Sequence, residues 1–95
     1  MPEMYILMCA DGTYYTGSTR DLERRLEEHH AGTYPDGYTA SRRPVRLAYF
    51  ERFDRIDDAW ARERQIHGWS RAKKRALIDG RIDDVKRAAS RAGHS

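Results

Sequence analysis

The chain contains 95 residues, of which 39% are hydrophobic and 35% charged, and its formal net charge is +3. A chain of this length supports one domain with a modest core, and this composition excludes a disordered chain and a membrane-embedded one. The small basic excess gives only weak support for a polyanionic partner, since a solvated basic tail explains it equally well. The longest apolar run, 4–10, is too short to span a bilayer and no signal-peptide pattern precedes it, so we expect a cytoplasmic location.

The first predicted elements are two strands joined by a tight turn. Residues 4–9 carry apolar side chains on both alternating faces, which predicts a central strand covered on both sides. Asp11-Gly12 marks a turn, and residues 13–17 form a second run rich in β-branched and aromatic residues. The first unit is therefore a β-hairpin, with Cys9 as a buried thiol in a reducing compartment.

The length of the hairpin loop decides whether Tyr5 and Tyr15 face the same side of the sheet. A two-residue loop places the two rings on opposite faces. A three-residue loop over 10–12, with Gly12 in the left-handed conformation, pairs Leu7 with Tyr15 and places both tyrosines on one face. We predict the second register.

A helix follows the hairpin. Thr19 and Asp21 supply the cap and the first-turn acid, the helix runs to about Ala31, and Gly32 closes it. A polar loop over 33–44 comes next, with a turn at residues 34–37.

The rest of the chain alternates between apolar segments and capping residues. It predicts a strand over 45–53, a helix from Asp57 or Asp58 to Gly68, a helix over 71–78 that Ser70 caps and Asp79-Gly80 ends, and a short helix over 83–89. The order ββαβαα predicts a small α+β domain over residues 1–80, with helices packed on a three-stranded, mainly antiparallel sheet. Residues 81–95 would add a short helix and a polar tail. Because no glycine-rich phosphate loop is present, we expect no nucleotide cofactor.

Two polar residues lie beside the apolar stripe of the first helix. At 100° per residue, Leu22 and Leu26 define the buried side, and Arg25 and His29 flank it at i,i+4 spacing. A guanidinium fork next to an imidazole suits phosphate chemistry near neutral pH. The alternative is an arginine stem that covers the core edge beside a surface histidine, and this pair alone favours that alternative.

A carboxylate interrupts the apolar stripe of the second helix. Glu63 lies within about one third of the helix circumference together with Ile56, Ala59 and Ile66. A carboxylate at such a position needs a cation to offset its desolvation. Glu63 is therefore either a metal ligand or the partner of a structural ion pair with Arg62, and the pattern favours neither.

These residues together resemble a known family. The ordered set extends from about residue 4 to residue 78 and consists of Tyr5-Ile6-Leu7, Tyr15-Thr16-Gly17, Asp21 to Leu26 with His29, Tyr38-Thr39, Arg42-Arg43-Pro44, and Glu63 followed by Ile66. It resembles the GIY-YIG nuclease superfamily, especially its small single-domain bacterial members. The first motif reads Met4-Tyr5-Ile6 without the glycine of the family name, so only Tyr5 carries over from it.

The resemblance implies the GIY-YIG fold and a metal-dependent endonuclease that acts on nucleic acid, in the first place DNA, with structure-directed cleavage of the kind used in DNA repair. It implies one active site on one face of the sheet, with the catalytic residues Tyr5, Tyr15, Arg25, His29 and Glu63. Glu63 would hold a single Mg²⁺ or Mn²⁺ ion. Tyr15 or Tyr5 would act on the attacking water, His29 would take over its proton, and Arg25 would neutralise charge on the phosphorus.

Basic and aromatic side chains supply a candidate binding surface beside that site. The candidates for nucleic-acid binding are Arg42, Arg43, Lys73 and Lys74, together with Tyr38. Tyr38 either stacks on an unpaired base or anchors its loop. Trp60 and Trp69 are predicted to pack between helices.

Two other functions remain open at this point. One is a nucleic-acid-binding module, or a subunit that depends on a protein partner for specificity and has little activity alone. The other is a protein-interaction domain with an incidental basic tail. The presence of all five catalytic candidates favours the enzyme, because a binding module has no physical need for Glu63 in an apolar stripe.

Overall fold

The computed structural model describes residues 1–33 and 36–80. Its elements are strand β1 (Glu3–Met8), strand β2 (Tyr14–Thr19), helix α1 (Leu22–Ala31), strand β3 (Arg46–Arg52), helix α2 (Ile56–His67) and helix α3 (Arg71–Ile78), with one turn of 3₁₀ helix at Ala40–Arg42. This is the predicted order. The predicted turn at 34–37 lies partly, and the predicted helix at 83–89 wholly, outside the described residues.

The strands form one antiparallel sheet in the order β2-β1-β3. Strand β1 is central and covered on both faces, as its apolar residues predict, and Met4 to Leu7 are fully buried. Helix α1 covers the face of Tyr5 and Leu7, and helices α2 and α3 cover the face of Met4 and Ile6. The predicted fold class, a small α+β domain, is confirmed. Within residues 1–33 and 36–80, no helix has both the length and the apolar character needed to cross a membrane.

The hairpin adopts the predicted three-residue loop. Leu7 pairs with Tyr15, the Cys9 amide donates to the Thr13 carbonyl at 2.9 Å, and Gly12 has a φ of 83°. That left-handed conformation favours glycine because it carries no Cβ. Tyr15 consequently shares a face of the sheet with Tyr5, at 6.3 Å between ring centroids.

Two helix starts differ from the predictions. Thr19 is the last residue of β2, and its hydroxyl bonds to the backbone of Asp21, so Asp21 alone caps α1. Helix α2 begins at Ile56, which places Asp57 and Asp58 in its first turn, where a carboxylate stabilises the helix dipole without capping. The predicted boundaries at Gly32, Ser70 and Ile78 are confirmed.

Candidate active site

The side chain of Tyr5 lies across the neighbouring edge strand at Gly17. The two residues are partners in the β1–β2 ladder. A Cβ atom on Gly17 would lie 2.6 Å from the Tyr5 hydroxyl oxygen and 2.7 Å from its Cζ. Because both distances are far inside van der Waals contact, only glycine permits this position of the ring. Tyr5 thus starts from the central strand and brings its hydroxyl to the edge strand.

His29 joins Tyr5 to the central loop, which connects α1 with β3. Its Nε2 lies 3.1 Å from the Tyr5 hydroxyl, and its Nδ1 lies 2.8 Å from Oγ1 of Thr39. Tyr5, His29 and Thr39 are all buried, and the Tyr15 ring packs edge-on against the imidazole at 5.3 Å between centroids. The alternative of a surface histidine is therefore wrong.

Burial and charge keep the two linked groups neutral. Burial lowers the pKa of His29, and the nearby Arg25 charge lowers it further. Burial also raises the pKa of the Tyr5 hydroxyl, Tyr15 adds to that rise, and the positive charge of Arg25 opposes it. A neutral imidazole has one donor and one acceptor nitrogen, so His29 accepts from one of its hydroxyl partners and donates to the other.

Arg25 lies at the margin of this cluster, as its place on the helix predicts. Its side chain is half-buried, and its Nε lies 3.3 Å from a Glu28 carboxylate oxygen. The same Nε is shielded from solvent and makes no hydrogen bond of good geometry within the described residues. Arg24 is exposed, as expected for the opposite side of α1. Arg25 is thus a fixed cation beside the Tyr5 hydroxyl.

Glu63 approaches from the other face of the sheet. Its Oε1 accepts a hydrogen bond of 2.7 Å from the Ser18 hydroxyl, and Ser18 lies opposite Met4 in the ladder, on the face that α2 covers. Arg62 pairs with Glu51 instead, at 3.1 Å, so the predicted alternative of an Arg62–Glu63 ion pair is wrong. Glu63 is half-buried and forms no ion pair with any residue in the described ranges.

The candidate site is therefore not confined to one face of the sheet. This corrects the expectation of an active site on a single face. Glu63 reaches the edge strand at Ser18, next to Gly17, over which the Tyr5 hydroxyl lies. The negative charge of Glu63 contributes to the raised pKa of Tyr5, which fits their proximity. Helical periodicity identifies the inner side of each helix but does not say which face of the sheet that helix covers. The structure thus brings together Tyr5, Tyr15, Arg25, His29 and Glu63 around one edge of the sheet.

A metal ion at this place would depend on Glu63. Within residues 1–33 and 36–80 there is no group of three or more histidine, cysteine or acidic side chains that could hold a metal by themselves. Mg²⁺ typically binds to one or two carboxylates, keeps several waters and takes oxygen atoms from substrate phosphates. A half-buried carboxylate with no cationic partner in the described chain fits that kind of site.

Two loop residues predicted to contact nucleic acid lie next to the cluster. The Tyr38 ring stacks on Tyr15, with centroids 6.0 Å apart, and the Arg42 guanidinium lies 3.9 Å above the centre of the Tyr38 ring. Arg42 also pairs with Asp11 at 3.0 Å. Tyr38 anchors its loop through these contacts, as one of its two interpretations predicts, and it still exposes 42% of its surface, so stacking on an unpaired base stays a prediction.

The other predicted contact residues lie in different surroundings. Arg43 donates to the backbone carbonyls of His30 and Ala40, which closes the loop against α1. Lys74 lines a groove that also includes Tyr15 and Tyr38, and burial lowers its pKa. The ammonium of Lys73 lies 5.9 Å from the Trp69 ring centre. Lys74 is therefore next to the cluster, whereas Arg43 and Lys73 lie among other contacts.

No individual role is predicted for Thr39 or Ser18, and the predicted packing of Trp60 between helices is wrong. The Thr39 hydroxyl bonds to His29 across the loop that follows α1, and the Ser18 hydroxyl bonds to Glu63 across 45 positions of the chain, and no periodic pattern marks either one. Trp60 follows the buried Ala59, turns about 100° away from the core and is 44% exposed, so it does not pack between helices. Trp69 is half-buried, as predicted.

The chain is similar to a known domain family and to several known proteins. Residues 1–76 match the family model described as the GIY-YIG catalytic domain. A UPF0213 protein from Syntrophus aciditrophicus is 49% identical over 75 residues, which cover 79% of this chain and 86% of that protein. A UPF0213 protein from Halobacterium salinarum is 49% identical over 80 residues, which cover 82% of this chain and 100% of that protein.

Solved structures show the same fold. The solution NMR structure of a UPF0213 protein from Bacillus halodurans has a TM-score of 0.53 at 38% identity and covers 83% of this chain and 84% of that one. The solution NMR structure of a protein from E. faecalis has a TM-score of 0.56 at 36% identity and covers 82% of both chains.

Proposed function

This chain belongs to the GIY-YIG family, whose domain indicates a nuclease, and on that premise we propose that it is a metal-dependent endonuclease that hydrolyses phosphodiester bonds in nucleic acid. One observation carries the proposal: Glu63, a half-buried carboxylate that has no cationic partner within residues 1–33 and 36–80, meets the Tyr5–His29 pair at one sheet edge. Packing alone gives no reason to desolvate Glu63 there.

The proton of the attacking water leaves through Tyr5 and His29. Tyr5 is a neutral phenol with a raised pKa, so by itself it is a poor base. Tyr5 is fully buried in the free protein, so its contact with the attacking water forms only when substrate binds; it then accepts the proton from water as it passes its own to Nε2 of His29, 3.1 Å away. Tyr15, which packs against the imidazole, is the other candidate for contact with the water.

Thr39 holds the imidazole in the tautomer that this transfer needs. When Nδ1 carries the hydrogen and donates it to Oγ1 of Thr39, Nε2 is left free to accept from Tyr5. Thr39 does not touch the reacting atoms, so we assign it a positioning role.

Arg25 and Glu63 act on the charge of the phosphate. The planar guanidinium of Arg25 suits the oxygens on which negative charge builds during the attack. Glu63 would hold Mg²⁺ or Mn²⁺ while Ser18 fixes one of its carboxylate oxygens. When bound, the ion supplies Lewis-acid stabilisation of the phosphate and of the leaving oxygen.

The substrate that we propose is DNA with an unusual structure, such as a flap or branch, in a repair-like process in the cytoplasm. Arg42, Lys74 and Tyr38 lie beside the site and would contact the phosphate backbone and an unpaired base. Arg43 and Lys73 would extend the positive surface. A protein partner would add the specificity that a domain of this size lacks.

The test is cleavage of labelled single-stranded, duplex, flap and branched DNA, and of the same structures in RNA, with Mg²⁺, Mn²⁺ or a chelator. Glu63→Gln keeps an oxygen that can accept from Ser18 but removes the charge, and Glu27→Gln changes an exposed carboxylate of α1 as the matched control. We expect metal-dependent cutting that only Glu63→Gln abolishes. Binding without cutting under every ion would instead identify a nucleic-acid-binding module, and cutting in the presence of chelator would exclude the metal role.

A further inference from the structure

A cleft opens beside the candidate active site where the end of β2 meets the starts of α1 and α2. Its volume is about 380 Å³, and its walls include Ser18, Arg20, Asp21, Arg24, Arg25 and Trp60. Clefts that bind small organic groups start at roughly 300 Å³, so this one has room for a single nucleotide.

The cleft is continuous with the catalytic cluster. Ser18 forms part of its wall and also donates to Glu63, and Arg25 forms part of its wall and also lies beside the Tyr5 hydroxyl. A group bound in the cleft would therefore sit next to a phosphate held by Arg25.

Trp60 presents an exposed indole in this cleft. It is 44% exposed, and in the part of the chain that the structure describes its ring makes no stacking or cation contact. The other tryptophan differs, because Trp69 is half-buried and has Arg62 and Lys73 within 5.5 and 5.9 Å of its ring centre. A large aromatic face left open to water at the rim of a site is available for a ligand.

Two cations in the cleft also lack an ion-pair partner within the described residues. Neither Arg20 nor Arg24 makes an ion pair with another residue of the described ranges, and both are exposed. The acidic side chains nearby are engaged, since Asp21 accepts from the Arg24 amide as the cap of α1 and Glu28 pairs with Arg25. Within residues 1–33 and 36–80, the cleft therefore combines unpaired guanidinium groups with an uncovered aromatic face.

We propose that this cleft binds one unpaired nucleotide of the substrate, adjacent to the phosphate that is cut, with its base stacked on Trp60 and its phosphates on Arg20 and Arg24. The inference rests on the proposed function and adds a preference for unpaired strands. A base in a duplex has both faces covered by its neighbours, whereas an unpaired base is free to stack on an indole.

The fluorescence of Trp60 tests this directly. The chain has 2 tryptophans, so Trp69→Phe leaves Trp60 as the sole reporter. With a chelator present to prevent cutting, this variant is titrated with a short oligothymidylate, with an abasic strand of the same length and charge, and with a blunt duplex. We expect strong quenching by the oligothymidylate alone. Equal quenching by the abasic strand would show that the cleft binds only phosphate and would overturn the stacking of a base on Trp60. Absence of quenching by every strand would overturn the proposal as a whole.

Binding by variants supplies the second measurement. Trp60→Ala should weaken binding of the single strand by roughly 5-fold to 150-fold, the range for loss of one stacked base, while Trp60→Phe retains most of the affinity. Replacing Arg20 and Arg24 by Gln should flatten the salt dependence of binding. Unchanged affinity in Trp60→Ala would overturn the inference while leaving metal-dependent cleavage intact. Quenching without any metal-dependent cleavage would support nucleotide binding in the cleft and overturn the proposed nuclease activity.

Discussion

Nδ1 of His29 lies 2.8 Å from Oγ1 of Thr39, so a residue of the central loop fixes the orientation of an imidazole on α1. Both side chains are buried, and the other ring nitrogen faces the Tyr5 hydroxyl. The loop also carries Tyr38, which stacks on Tyr15. The position of the loop and the orientation of the His29 ring are therefore linked through Tyr38 and Thr39, which are adjacent in the chain.

Replacing Thr39 by Val should lower cleavage by up to about tenfold, since the net value of one hydrogen bond is roughly 0.5–1.5 kcal/mol. The hydroxyl accepts from Nδ1–H most strongly when the ring is charged, so its loss should also shift the acidic limb of the pH–rate profile to lower pH. Thr39→Ser keeps the hydroxyl and should restore both properties. A Val variant with reduced activity but an unmoved pH profile would assign Thr39 a packing role only.

The stability of the protein should fall as the solution becomes acidic. The pKa of His29 is lowered in the folded state by burial and by Arg25, whereas the unfolded chain has the ordinary value of about 6.5. Its stabilising contribution is therefore complete above about pH 6.5 and is lost as the pH falls through the lowered folded-state pKa.

This dependence is measured as the free energy of unfolding in urea between pH 5 and pH 8. His29→Gln should flatten the acidic part of the curve, whereas His67→Gln, which changes an exposed residue of α2, should leave it as in the wild type. An identical acid response in the wild type and His29→Gln would contradict the assignment.

Local periodicity predicts where several of the candidate site residues lie. Helical periodicity places Arg25 and His29 beside Leu22 and Leu26 on one helix, but that pattern alone favours a surface histidine, and the family resemblance is what selects the pair as site residues. The length of the hairpin loop determines that Tyr5 and Tyr15 lie on the same face of the sheet, and Gly12 indicates that length because it can adopt the left-handed conformation.

The remaining features depend on contacts between distant segments. Ser18 and Glu63 are 45 positions apart, and their hydrogen bond depends on how α2 crosses the edge strand. Thr39 is an ordinary loop residue until the loop folds back onto α1. Helix geometry places Trp60 beside the buried Ala59, but only the packed structure shows that its side chain stays 44% exposed.

Gly17→Ala should disrupt the site because the new methyl group would overlap the Tyr5 hydroxyl and ring. Overpacking of this kind typically costs about 1–3 kcal/mol, and displacement of Tyr5 should also abolish most cleavage. Gly68→Ala is the matched control, since a Cβ there would meet no atom within 4 Å. The melting temperature and the cleavage rate are measured for both.

A double variant separates this overlap from a general backbone effect. Tyr5→Ala removes the ring, so adding Gly17→Ala to it should cost little further stability. If the two changes were simply additive in the free energy of unfolding, the close approach of Tyr5 to Gly17 would not be the cause.

Arg25→Lys tests whether the guanidinium geometry serves the transition state. Lysine keeps the positive charge but loses the planar fork, so binding of nucleic acid should be nearly unchanged while turnover falls by on the order of 10²–10³, as for loss of one transition-state donor. Arg64→Lys, an exposed change on α2, should affect neither quantity. Binding is measured with chelator and turnover with saturating substrate. Because a residue that only binds substrate would lose affinity and keep its turnover, normal turnover in Arg25→Lys would remove Arg25 from the catalytic group and leave it as a phosphate contact.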